Sequence, residues 1–198
     1  MPLPRWRLFL AVRHLRSGGI IAYPTEGVFG LGCDPCNDQA VAEILALKGR
    51  AAGKGLIIIA ADFDQLLPFI LLPEPPVLER VLASWPGPVT WLLPAAPWVP
   101  DRLTGGRATI ACRVTDHPIA AQLCRTFGAP LVSTSANPSG RPPAKSLLQV
   151  RRYFGRQKDR LLLIPGPLGK LKGPTPIYDA LTGRRLREAS QSAGKLIS

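Results

Sequence analysis

No apolar run in the sequence approaches the ~20 residues needed to cross a bilayer. The stretch Leu56 to Ala61 is far shorter. Near the start, Arg5 and Arg7 precede Leu8 to Val12, and Arg13, His14 and Arg16 break the stretch at once. A secretory apolar region needs ~7–15 residues, so a cytoplasmic protein without membrane association is expected. Histidine is scarce. His14 falls on a helical pattern and His117 in a turn before Pro118, and neither has a metal or triad spacing, so both read as structural. The four cysteines are Cys33, Cys36, Cys112 and Cys124. Cys33 and Cys36 form one C-x-x-C, but no second such pair completes a zinc site, so small buried thiols and no bound metal are expected. There is no G-x-S-x-G nucleophile elbow and no G-x-G-x-x-G after a strand. Aromatics make up 7% of the chain and do not interleave with its basic runs, unlike the stacking platforms of nucleic-acid binders. Acidic residues are also few: 13 against 25 Lys and Arg, a net charge of +12. That balance calls for an anionic partner, either a polymer or a small phosphate ligand.

What the chain does have is a core and many turns. Its 198 residues are 46% hydrophobic, enough for one domain without disulfides. The 22 prolines and 19 glycines are scattered without period and imply short elements. Helical spacing predicts helices over 5–16, 62–70, 75–83, 117–127 and 147–154, and one through Ala40, Val41, Ile44, Leu45 and Leu47 that Asn37-Asp38 caps and that ends near Lys48-Gly49. Apolar runs predict strands at 20–23, 56–60, 89–93, 109–114, 131–134 and 161–164, a loop over 94–106, and a C-terminal hairpin from 177–181 and 185–188. Intermixed helices and strands predict an α/β domain over 1–189 built on one mixed sheet, with a loose tail at 190–198.

Four segments could carry chemistry. Lys48-Gly49-Arg50-Ala51-Ala52-Gly53-Lys54-Gly55 sets three cations among glycines, a pattern that can gather charge and backbone N–H groups around phosphate. It is not a Walker A loop, because the glycine spacing is one short and Gly55 stands where Ser or Thr is needed. Ser133-Thr134-Ser135-Ala136-Asn137 follows directly on a strand; strand ends are where α/β sheets bind ligands, and these groups can hold phosphate, ribose or carboxylate. Tyr23-Pro24-Thr25-Glu26-Gly27 also ends a strand, with Glu26 either an ammonium partner or a cap. Arg113 alternates with apolar neighbours and either faces solvent or reaches an anion in a cleft. With no nucleophile in view, the chemistry is positioning and charge neutralisation.

In this order the segments resemble the YrdC-like family of threonylcarbamoyl-AMP synthases, in its short bacterial form. The marks are Ile21 to Gly32, Leu47 to Leu56, Trp85 to Thr90, Arg113 to Pro118, Ser133 to Gly140 and Pro174 to Asp179. The resemblance implies a twisted mixed sheet with surrounding helices around a basic concave site. It implies that L-threonine, bicarbonate and ATP become threonylcarbamoyl-adenylate and pyrophosphate, with Mg²⁺ carried in on ATP. Downstream proteins then pass the threonylcarbamoyl group to tRNA. Carried over by motif, Lys48, Arg50, Lys54, Ser135, Asn137 and Arg187 match nucleotide positions, and Thr109 and Pro143 match more loosely. Lys48 and Arg50 are the expected catalytic cations. Thr25, Arg113, Ser133 and Thr175 match positions near the threonine. Three departures stand out. Thr175 replaces a frequent serine and keeps the hydroxyl. Gly55 replaces a frequent proline and is expected to loosen its loop; Gly27 replaces a frequent threonine and removes a hydroxyl from the amino-acid pocket.

An anionic carbamate must meet an anionic α-phosphate, and Lys48, Arg50, Lys54 and Arg113 would offset that repulsion. The rival reading is a non-catalytic RNA-binding or ribosome-assembly module, supported by the net charge. In that reading Arg151, Arg152, Arg184 and Arg185 face solvent and meet tRNA or another RNA. A third reading, a carbamoyl-transfer domain cut from a larger enzyme, lacks the acylphosphatase and zinc segments such enzymes carry.

Overall fold

A computed structural model describes residues 2–49, 52–155 and 160–187. The expected tail and the predicted site residue Arg50 lie outside them. Fifteen regular elements follow one another: α1 (Arg5–Arg16), β1 (Ile20–Pro24), β2 (Phe29–Gly32), α2 (Asp38–Lys48), β3 (Ile57–Ala60), α3 (Pro75–Leu82), β4 (Thr90–Pro94), α4 (Asp101–Thr104), β5 (Thr109–Val114), α5 (Pro118–Phe127), β6 (Leu131–Ser135), α6 (Leu147–Phe154), β7 (Leu161–Leu163), β8 (Ile177–Asp179) and β9 (Arg185–Arg187). The caps fit the sequence. Asn37 accepts from the Ala40 N–H at 2.9 Å to start α2, and Gly49 ends it at φ 55°, a conformation that costs a residue without Cβ little.

The strands form one mixed sheet in the order β7-β1-β2-β6-β3-β5-β4-β8-β9. Pairing is parallel for β7–β1, β3–β5 and β4–β8 and antiparallel elsewhere. Side chains alternate between faces, so each strand feeds two environments. On one face Leu31, Val132, Ile58, Cys112 and Leu93 pack against Val41 and Ile44 of α2, Val81 of α3 and Phe154 of α6. On the other, Ile21, Tyr23, Leu131 and Ile59 are covered by Leu8 and Leu15 of α1 and Ile119 and Leu123 of α5. Further along that second face, Ser133 pairs with Ile57, Ile57 with Ala111, and Ala111 with Leu92. This row lines open cavities. The site is therefore the half of a sheet face that the described helices leave uncovered.

Three expectations need correction. Residues 29–32 form a strand that the sequence reading leaves unassigned. The segment from Asp64 to Phe69 is 3₁₀ rather than α, with Pro68 inside it; proline removes a backbone donor. The loop over 94–106 contains the one-turn helix α4.

Candidate active site

Two adjoining cavities share Ile57, Ser133, Thr134 and Arg187 as walls. The smaller, about 50 Å³, is lined by Thr25, Gly30, Arg113, Ser133, Ser135 and Thr175 among others. The larger, about 270 Å³, takes in Lys54, Arg107, Thr109 and Arg187. Among the described residues neither lining contains an Asp or Glu, and each contains cations. All four residues assigned to threonine thus meet in the smaller cavity. Lys54, Thr109 and Arg187, assigned to the nucleotide, meet in the larger, while Ser135 stands in the smaller. Pro143 is half-buried and lines neither.

Lys48 and Asn137 lie beyond the end of β6. The Lys48 ammonium is buried and donates to the Ser135 carbonyl, to the Asn137 carbonyl at 2.9 Å and to Asn137 Oδ1 at 3.4 Å. The loop answers: the Ser139 N–H donates to the Lys48 carbonyl at 2.7 Å, and Ser139 Oγ to the Gly49 carbonyl at 3.0 Å. The last carbonyls of α2 are satisfied this way. Lys48 therefore ties two of the predicted segments together.

The buried end of the smaller cavity is an ion-pair network. Arg113 is 3% exposed and Glu26 4%. Arg113 Nη2 lies 3.1 Å from Glu26 Oε2, and the Thr115 hydroxyl donates to Glu26 Oε1 at 2.5 Å. Arg113 Nη1 donates to Thr175 Oγ1 at 2.9 Å and Thr90 Oγ1 at 3.3 Å. The strand arginine thus reaches into a cleft. Glu26, read as either an ammonium partner or a cap, pairs with a guanidinium. It is the arginine's counter-ion, and Thr90 and Thr115 complete a constellation that residue-by-residue reading passes over. Thr90 lies within the Trp85 to Thr90 mark, and that was its only signal.

β2 contributes space. A Cβ on Gly30 would lie 3.2 Å from Thr25 Cγ2 and 3.4 Å from Ser133 Oγ, and one on Gly32 would lie 2.6 Å from the Val132 carbonyl. Gly27 is governed by the segment between β7 and β8, which crosses the end of β1. The Gly169 N–H donates to the Thr25 carbonyl and the Leu171 N–H to the Glu26 carbonyl, both at 2.9 Å. A Cβ at Gly27 would sit 2.1 Å from the Gly173 carbonyl oxygen. No side chain fits there, so the absent hydroxyl is replaced by backbone. Gly55 overturns the expected looseness: its φ is 60°, and a Cβ would lie 2.9 Å from the Leu103 and Thr104 carbonyls. Proline, with φ fixed near −65°, cannot take that place.

His117 joins the crossing segment to α5. Its Nδ1 accepts from the Ala120 N–H at 3.5 Å as the helix cap, and its Nε2 faces the Pro167 carbonyl at 3.1 Å. These partners assign the neutral Nε2–H form. Burial pushes its pKa below the usual 6.5. A base with a lowered folded pKa gives full stability above 6.5 and loses it as pH falls through the folded value. The melting temperature is expected to be flat above pH 6.5 and to fall below it, and His117→Asn, which can still cap the helix, should flatten that fall. Equal acid slopes for the two proteins would refute it. His14 is structural too, with Nε2 at 3.1 Å from the Ile20 carbonyl and 3.0 Å from that of Arg160.

Among the cysteines, Cys33, Cys112 and Cys124 are buried and free. Burial pushes the Cys124 thiol up to about 12 and those of Cys33 and Cys112 further. Cys36 is exposed, against the expectation of a buried thiol, because it follows a turn in which its N–H donates to Asp34 Oδ1 at 2.8 Å.

With this geometry in place, likeness to known proteins decides the family. The Sua5/YciO/YrdC profile, described as "Telomere recombination", matches residues 13–188. The chain belongs to the Sua5/YciO/YrdC family. A relative from Nitrosococcus oceani named threonylcarbamoyl-AMP synthase is 57% identical over 94% of this chain and 100% of its own length. Among solved structures, P. abyssi Sua5 complexed with L-threonine is 33% identical with a TM-score of 0.82, matched over 89% of this chain. This chain spans about half of that Sua5 protein, 52% of its length. E. coli YciO is 28% identical with a TM-score of 0.75, over 90% of this chain and 86% of its own. The family fold is the α/β mixed sheet described above. Among the described residues no helix is long and apolar enough to cross a membrane.

Proposed function

We propose that this chain is a cytoplasmic threonylcarbamoyl-AMP synthase. The observation that carries the reading is a small cavity with a donor-rich end that shares walls with a larger basic one. At one end Arg113 and Thr175 present donors for a carboxylate. At Thr25 the hydroxyl gives its proton to the Val28 carbonyl at 2.7 Å, which leaves its lone pairs to accept from an amine. An amino acid spans such a pair of ends. Its amine reacts with bicarbonate to form the carbamate and water. A carbamate oxygen then attacks the α-phosphorus of ATP, the bond to the β-phosphate breaks, and pyrophosphate leaves. Lys54, Arg107 and Arg187 surround the larger cavity and offset the charge that builds there. Arg50 belongs with them by motif.

Mg²⁺ arrives as part of the ATP substrate. Among the described residues the linings offer no carboxylate to hold a resident ion, and nearby Glu26 is paired with Arg113 and accepts from Thr115. The adenylate then goes to proteins that transfer its threonylcarbamoyl group to tRNA. The exposed Arg151, Arg152, Arg184 and Arg185 are where a nucleic acid would touch this chain.

Pyrophosphate release is expected only when ATP, L-threonine and bicarbonate are all present, and to fall to background when either threonine or bicarbonate is left out. Equal release with serine, or with no amino acid, would exclude this function.

A further inference from the structure

The three hydroxyl and guanidinium contacts behind the smaller cavity have a direction. Arg113 Nη1 lies 3.3 Å from Thr90 Oγ1 and 2.9 Å from Thr175 Oγ1, and the two hydroxyl oxygens are 3.0 Å apart. A guanidinium only donates. Both threonine oxygens therefore accept from it, and each hydroxyl must place its own proton elsewhere. Thr90 is 0% exposed, and its only other side-chain partner among the described residues is Thr175. Its proton goes there, because a buried hydroxyl left without an acceptor is costly. Thr175 Oγ1 then accepts from both sides, and its own proton is left for the cavity it lines. The Thr175 backbone is held as well, since Arg187 donates to its carbonyl through Nε at 3.2 Å and Nη2 at 2.8 Å.

We propose that Thr90, which lines neither cavity, is a positioning residue that fixes the Thr175 hydroxyl as a donor and so selects a carboxylate at that end of the pocket. On the far side of Arg113, Glu26 Oε2 lies 3.1 Å from Nη2, and among the described residues neither that oxygen nor the buried Nε has a hydrogen-bond partner. At this end the groups that line the cavity, the Thr175 hydroxyl and the Arg113 guanidinium, are donors. A carboxylate offers lone pairs on both oxygens; a carboxamide of the same size turns an N–H₂ toward one of those donors. This rests on the threonine reading above and adds the element that tells acid from amide.

The test is calorimetric binding of L-threonine and of L-threoninamide to the purified chain. Wild type should prefer L-threonine. Thr90→Val, nearly isosteric, should weaken L-threonine binding about 10-fold while leaving threoninamide almost unchanged, because the freed Thr175 hydroxyl can then turn to accept. Thr90→Ser should restore the preference. In a Thr175→Val background, Thr90→Val should add nothing, since the effect runs through Thr175. In pyrophosphate release the loss should fall on KM for threonine and leave kcat nearly unchanged. If wild type binds threonine and prefers it but Thr90→Val keeps that preference, or if the two losses add, the positioning role is wrong and the functional reading stands. If wild type binds neither compound, the functional reading fails and this one with it.

Discussion

Arg113→Ala is expected to abolish threonine-dependent pyrophosphate release and to lower the melting temperature together. The guanidinium sits in the interior against Glu26, with side-chain exposures of 4% and 5%. Removing one partner of a buried pair leaves the other charge uncompensated, at a cost of about 3–5 kcal/mol. For a chain of this size that is a fall of roughly 6–20 °C. Loss of activity alone would then be ambiguous. The double variant Arg113→Ala with Glu26→Gln separates the causes, because a neutral amide no longer needs a counter-ion. It should recover much of the lost stability and none of the activity. If the double variant recovers both, Arg113 holds the fold and has no part in binding the substrate. If Arg113→Ala keeps wild-type KM for threonine, the carboxylate is bound elsewhere.

The same pair shows where local sequence reading reaches its limit. Helices and most strands are legible because period and caps are local: Asn37 and Gly49 bound α2 as their chemistry requires. β2 is not legible, because Phe29-Gly30-Leu31-Gly32 lacks the β-branched residues that mark strands. Its glycines are demanded by Thr25, Ser133 and Val132, contacts that exist only once the sheet is assembled. Glu26 meets Arg113 across 87 positions of sequence and Thr115 across 89, a pairing that no spacing rule reports. Gly55 misleads for a related reason. Its freedom is used to take a positive φ beside α4, and α4 itself is hidden in a stretch that reads as loop. The threonine-side residues converge as the motifs imply. The nucleotide-side residues converge only in part, because Lys48 and Asn137 bind each other.

That mutual binding sets the expectation for Lys48→Met, which should lower kcat/KM for ATP about 10- to 100-fold, the loss that follows removal of a charged hydrogen bond. Methionine keeps much of the stem's packing and removes the ammonium. The carbonyls of Ser135 and Asn137 then lose the donor that draws the loop onto the end of α2. Ser135 lines the smaller cavity, so the loop's freedom is felt where the carbamate must meet the α-phosphorus. Misplacement of reacting groups is costly even when the cause lies outside the contact. Amide exchange should show which role dominates. If Lys48 acts by holding the loop, the Ser139 N–H, which donates to the Lys48 carbonyl at 2.7 Å, should exchange faster in the variant, and bound ATP should restore only part of the protection. If Lys48 acts on phosphate directly, protection in the free protein should be unchanged while the loss in ATP use remains. Unchanged exchange together with unchanged ATP use would remove Lys48 from the site altogether and leave the larger cavity's own cations, Lys54, Arg107 and Arg187, to carry the charge.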